Sequence, residues 1–142
     1  MKEALENLFT HYLKSFRDYN LQGVCHCYAI PCTLNTPERI LLIEDFNACE
    51  KEFSAIFEQL KQEKTKDIVV QQSSFMVLSK SLLLVSIDWD FINQFEDVFA
   101  SFCAFYHIAL EMKDKNIQLK IVNVASHQSE NSLLLKNEFL IS

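Results

Sequence analysis

Four metal-capable side chains, Cys25, His26, Cys27 and Cys32, crowd the run CHCYAIPC. Zinc sites are usually built from two separated ligand pairs spaced C-x2-4-C, so that loops can wrap the ion. Here Cys25 and Cys27 diverge on a short helix and no second pair follows, so the pattern predicts buried thiols, no metal and no cofactor. Cys103 and His107 are four residues apart on one predicted strand. That is ~13 Å at the strand rise, too far for a nucleophile and its base. The single glycine of the chain leaves no room for a phosphate loop, a dinucleotide fingerprint or a G-x-S-x-G elbow. His11, His26 and His127 have no partner in the pattern and are expected to be structural or exposed. The acid–base candidates that remain are Asp88 and Asp90 in VSIDWDF and His107 in AFYHIAL.

Whether those groups reach a pocket depends on strand faces. Ser81 to Ala125 reads as two long hairpins sharing a strand, and side chains on a strand alternate between faces. Pairing Phe91 with Val98 puts Leu83, Val85, Ile87 and Trp89 on one apolar face with Ala100, Phe102, Ala104 and Tyr106. Pairing Met112 with Ile117 adds Ile121 and Asn123, the latter opposite Tyr106. A one-residue slip would set each apolar face against a mixed one. The same parity, carried into Asp67–Ser79, puts Val70, Gln72, Ser74 and Met76 inside and Phe75 outside. Asp88, Asp90 and His107 then lie on the outer face, with Asp88 and His107 ~20 Å apart along the strand. A bulge would flip whatever lies beyond it.

The expected pocket residues are therefore Tyr12, Gln72, Ser74, Trp89, Tyr106 and Asn123, with Tyr28 as a further contributor. Unpartnered buried amides cost ~1–3 kcal/mol, so Gln72 and Asn123 predict a wet or ligand-filled cavity. The outer face carries Phe75, Leu84, Phe99, Ser101, Cys103, Phe105 and His107. Such a surface is too apolar to leave wet and has the mixed character of an interface, which predicts a homodimer packed sheet to sheet.

The elements that must hold these residues follow from periodicity. Lys2–Tyr19 has Leu5, Leu8, Phe9, Tyr12, Leu13 and Phe16 at helical spacing, and Leu21–Ala29 reads as a short helix stopped by Pro31. Cys32–Thr36 and Arg39–Ile43 read as short strands about Thr36-Pro37-Glu38, and Glu44–Lys64 as the longest helix. Three long antiparallel strands follow. The tail 127–142 has a polar loop and one apolar run whose structure the pattern leaves open. One amphipathic stripe per helix must cover the apolar sheet face, giving an α+β sandwich in a single domain, 1–142.

The chain carries 142 residues, a net charge of −6 and no Lys/Arg cluster, which argues against nucleic acid or an anionic membrane as partner. Its longest apolar run, LLLV, is far too short to span a bilayer. Five cysteines, an odd number, and an acidic N-terminus unlike a signal peptide fit a cytoplasmic protein with reduced thiols.

The element order resembles the nuclear transport factor 2-like (SnoaL-like, cystatin-like cone) superfamily. The resembling strings are FRDYN at the end of the first helix, CYAIPCTL, ERILLIED, VSIDWDF, AFYHIAL and IQLKIVNVA. AFYHIALEMKDKN lacks the glycine-tryptophan ending common in relatives. The resemblance implies a strongly curved, mainly antiparallel sheet with the N-terminal helices in its concave face, a pocket inside the cone, and homodimers. It also implies that enzymes of this fold place an aspartate, histidine or tyrosine inside the cone. The parity above leaves that interior uncharged. The expected function is a non-catalytic small-molecule-binding or interaction domain, taking a small apolar ligand. The alternative is an acid–base isomerase, dehydratase or cyclase using Asp88 with Tyr106 or Tyr12.

Overall fold

The computed structural model describes residues 1–142. Helix α1 (Lys2–Arg17) buries Leu5, Phe9, Tyr12 and Leu13 and ends where Tyr19 takes a positive φ of 52°. Helix α2 (Leu21–Cys25) starts at Asn20, whose side-chain oxygen accepts from the Gly23 N–H at 3.0 Å. A Cβ at Gly23 would sit 2.4 Å from Ser15 Oγ, so the close approach of α2 to α1 is what requires the chain's single glycine. Strands β1 (Tyr28–Asn35) and β2 (Ile40–Ile43) precede α3 (Phe46–Gln62). Asp45 caps α3 by accepting from Ala48 N–H at 2.7 Å, and Cys49, Phe53, Phe57 and Leu60 form its buried stripe. The short helix is four residues shorter than the pattern predicts, because Tyr28 begins a strand. Pro31 lies inside that strand, where its missing N–H costs no ladder bond: pairing with the neighbour on one side is interrupted between Tyr28 and Thr33.

The long strands are β3 (Thr65–Ser79), β4 (Leu82–Asn93), β5 (Val98–Lys113) and β6 (Asn116–Gln128), followed by a 3-10 turn at Ser129–Asn131 and β7 (Asn137–Glu138). The sheet order is β2-β1-β6-β5-β4-β3-β7, and only β1–β6 is parallel. The curled sheet wraps the helices, and the architecture is α+β. Met112 pairs with Ile117 as expected, across a two-residue turn in which Asp114 and Lys115 both take positive φ. That turn geometry matches the twist of the flanking strands.

Three irregularities correct the parity reading. Between β4 and β5, Ile92 pairs with Val98 and Phe91 with Ala100, so Phe99 is an extra residue and the register lies two residues from the expected one. An even displacement preserves faces, so Leu83, Val85, Ile87 and Trp89 still share the concave side with Ala104 and Tyr106. Phe99 instead packs edge-on against Phe91 on the cavity side, with centroids 6.1 Å apart. In β3, Val70 pairs with Trp89 but Gln72 with Asp88, so Gln71 is the extra residue. Gln72, Ser74 and Met76 are thereby turned to the convex face and Phe75 to the concave one. In β6, Ile121 pairs with Ile108 but Asn123 with His107, so Val122 is extra and Asn123 faces outward beside His107. Each bulge flips the strand beyond it.

The tail is structured. From β6 it must pass β5, β4 and β3 to reach its own edge position as β7. It does so over the convex face: Ser132 Oγ donates to Asp88 at 2.6 and 2.8 Å, and Leu135 N–H to Ser74 Oγ at 2.9 Å. Phe139 then turns round the edge into the core, between Phe75 and Phe9.

Candidate functional site

The concave side of the sheet and the inner stripes of α1 and α3 enclose a cavity of about 510 Å³. Its walls are rings: Phe16 from α1, Phe53 from α3, and Trp89, Phe91, Phe99 and Phe102 from β4 and β5. At its polar end Tyr12 Oη lies 2.8 Å from Tyr28 Oη, and Trp89 Nε1 donates to Tyr106 Oη at 3.0 Å. Tyr106 is also held edge-on by Phe9 and Tyr12, at centroid distances of 5.0 and 6.2 Å. All four polar rings are buried.

Burial pushes the hydroxyls of Tyr12 and Tyr28 well above the ordinary phenol range; Tyr28 and Tyr106 reinforce the shift at Tyr12, whereas at Tyr28 Tyr106 reinforces it and the hydrogen bond with Tyr12 opposes it. Burial also raises Tyr106, against the opposing effect of the indole donor. The three phenols are therefore neutral donors at any physiological pH. Charged side chains line the cavity elsewhere: Arg39 Nη2 donates to Glu52 Oε1 at 2.6 Å, tying the β1–β2 turn to α3, and Glu63 stands exposed nearby.

Of the expected pocket residues, Tyr12, Trp89 and Tyr106 line this cavity, with Tyr28, and Gln72, Ser74 and Asn123 do not. Asn123 is accounted for on the convex face. Its Oδ1 accepts from Thr33 Oγ1 at 2.7 Å and Asn35 Nδ2 at 3.0 Å, and its Nδ2 donates to His107 Nδ1 at 3.0 Å. Asp88 and Asp90 also face outward. Asp90 accepts from Ser101 Oγ at 2.7 Å and from Gln71 Nε2 at 2.8 Å.

Of the expected interface residues, Phe75 and Phe99 point inward, and Cys103 is buried, its thiol donating to the Gln128 carbonyl at 3.3 Å. Leu84, Ser101, Phe105 and His107 remain on the convex face. The cysteines are all free and buried, and burial pushes the Cys27 thiol up to about 12 and the Cys32 thiol up to about 11. No group of three or more His, Cys, Asp and Glu side chains could hold a metal ion, and no helix is long and apolar enough to cross a membrane. Residue spacing alone missed Phe99 and Phe139 as core-side rings, since neither bulges nor the path of the tail carry a glycine or proline signal.

A curled sheet wrapped round N-terminal helices, with an apolar cavity on its concave side, defines the cystatin-like cone class. The chain belongs to the family described as NTF2-like protein (DUF6841), which matches residues 2–129. No curated protein matches it. Among solved structures it is similar to a domain of unknown function with a cystatin-like fold from Nostoc punctiforme PCC 73102. That pair has 9% identity and a TM-score of 0.69, over 89% of this chain and 75% of the other. It is also similar to a ketosteroid isomerase-like protein from Erwinia carotovora atroseptica SCRI1043, at 14% identity and TM-score 0.61, over 88% and 93% of the two chains. The yeast Ubp3-associated protein Bre5 matches at 13% identity and TM-score 0.66, over 87% and 92%. At these identities the likenesses establish the fold.

Proposed function

We propose that the protein binds an uncharged, largely apolar small molecule in the cone cavity without transforming it, and that it works as a homodimer. The observation that carries the ligand reading is a surplus of donors. Trp89 N–H and the three phenols bring four protons, and the bonds Trp89 to Tyr106 and Tyr12 to Tyr28 use two of them. Even a further link between Tyr106 and Tyr12 leaves one hydroxyl proton without an acceptor among the four rings. A buried donor left unpaired costs ~1–3 kcal/mol, so the cluster favours a ligand that brings an acceptor oxygen, such as a ketone or ester. The rings around it suit an apolar body. A carboxylate would lack a free counter-charge, because Arg39 is already paired with Glu52.

The non-catalytic reading is supported by where the charges lie. Asp88, Asp90 and His107 are on the opposite side of the sheet, the cavity's Glu52 is paired with Arg39 and its Glu63 is exposed, and phenols held neutral do not serve as bases near pH 7. The homodimer reading is supported by the part of the convex face that the tail leaves open. Leu84, Phe105 and His107 are half-buried there, and Leu42 and Ile40 on β2 are 55% and 79% exposed.

Trp89 is the chain's single tryptophan, so its fluorescence reports on the cavity. Titration with 2-acetylnaphthalene, 2-ethylnaphthalene and 2-naphthoate compares a neutral acceptor, a hydrocarbon and an anion on one apolar body. The ketone should bind about fivefold more tightly than the hydrocarbon, the equivalent of roughly one net hydrogen bond, and the anion most weakly. If none perturbs Trp89, the cavity is not the site. Tightest binding by the naphthoate would contradict the neutral-ligand reading.

A further inference from the structure

We propose that residues 129–142 form a releasable strap whose docking is linked to occupancy of the cone cavity. The inference rests on the reading of that cavity as a ligand site. The strap begins where the family match ends, at residue 129. It holds the convex face through Ser132, which donates to the Asp88 carboxylate, and through Leu135 N–H on Ser74. Ser74, Ser86 and Cys103, all on the convex side, are buried at 0%, 2% and 0% exposure. The strap bonds Ser74 through Leu135 and holds Asp88, which pairs with Cys103 and shares a strand face with Ser86.

Past the sheet edge the strap reaches the other side of the molecule. Ser73 Oγ donates to the Phe139 carbonyl at 2.5 Å and Phe139 N–H to the Ser73 carbonyl at 3.3 Å. Leu140 N–H donates to Glu6 Oε2 on α1 at 3.0 Å. The Phe139 ring lies 6.0 Å from Phe9, and Phe9 lies 5.0 Å from Tyr106 and 5.9 Å from Tyr12. The strap therefore backs the ring on which two of the cavity's phenols rest.

Apart from Phe139, its one buried residue at 3% exposure, its hold is slight: Leu133 and Leu134 are 51% and 62% exposed, and β7 pairs with β3 at two positions only. A segment held by few buried contacts opens at a free energy well below global unfolding. Close packing passes its loss to the rings it supports. A ligand that needs Tyr12 and Tyr106 in place then binds the docked form better, and by linkage it holds the strap down.

Hydrogen exchange of residues 130–141 and the affinity for 2-acetylnaphthalene test this in the full chain. In the wild type, saturating ketone should slow exchange in that segment. Ser132→Asp sets a second carboxylate against Asp88 and should speed exchange there and weaken ketone binding severalfold. Adding Asp88→Asn, which can donate to the new carboxylate, should restore both. Should Ser132→Asp fail to fold, Ser132→Ala removes the latch without charge and should move both readouts the same way. Unchanged ketone affinity in a variant whose strap exchanges freely would overturn the linkage while leaving the cavity reading intact. A wild-type protein that binds no ketone would overturn both.

Discussion

The phenols and thiols of the interior are protonated groups whose ionisation the fold opposes, and that fixes how stability responds to alkali. Burial raises Tyr12, Tyr28 and Tyr106, and it lifts Cys32 to about 11 and Cys27 to about 12. Below about pH 8.5, folded and unfolded chains both hold these protons and pH has no leverage. Above it, the unfolded chain releases thiol protons first and phenol protons from about pH 10, while the folded chain keeps them. Stability therefore falls as pH rises, by up to about 1.4 kcal/mol per pH unit for each such group, until the folded values are reached. Urea midpoints at pH 7, 9 and 10.5 should drop steeply over the last interval; a flat profile would mean the groups are not so buried. At the same scale, Tyr106→Phe leaves the Trp89 N–H without its acceptor. It should cost about 1 kcal/mol of ketone affinity, with a similarly modest loss of stability, both read by Trp89 fluorescence.

At the level of elements, the bulges decide which side chains meet. Asn123 joins β6, β1 and β5 on the convex face through Thr33, Asn35 and His107, so it is a structural tie. Asn123→Ala should destabilise by about 1–3 kcal/mol in urea denaturation and leave the cavity's ligand affinity unchanged. A selective loss of binding would return Asn123 to the pocket. Much of this level was legible in the sequence. Alternation in SLLLVSIDWDF and AFYHIAL gave the concave face of β4 and β5, including Trp89 and Tyr106, and the helical stripes gave α1 and α3. An even register displacement leaves faces intact, which is why the two-residue error at Phe91 did no harm beyond Phe99. The extra residues Gln71 and Val122 are ordinary strand formers with no local signal, and each reverses the parity of the rest of its strand. Gln72, Ser74, Phe75, Met76 and Asn123 face opposite to simple alternation for that reason alone. Tyr28 was partly legible, but its partnership with Tyr12 is a tertiary contact.

For the molecule as a whole, the convex face is divided between the strap and an open region around Leu84, Phe105, His107, Ile40 and Leu42. If that region joins two copies, Phe105→Glu should give a monomer in sedimentation equilibrium at micromolar concentration, where the wild type should sediment as a dimer. A wild-type monomer under those conditions would sink the homodimer. On the concave side, we propose, a donor-rich cluster at one end of an aromatic cavity selects a neutral acceptor. A crystal structure of the full chain with 2-acetylnaphthalene tests it most directly. The naphthalene is expected among Phe16, Phe53, Phe91 and Phe102, with its carbonyl oxygen about 3 Å from a hydroxyl of Tyr12, Tyr28 or Tyr106. A ketone bound with its carbonyl turned away from the phenols, or seated outside the cone, would contradict it.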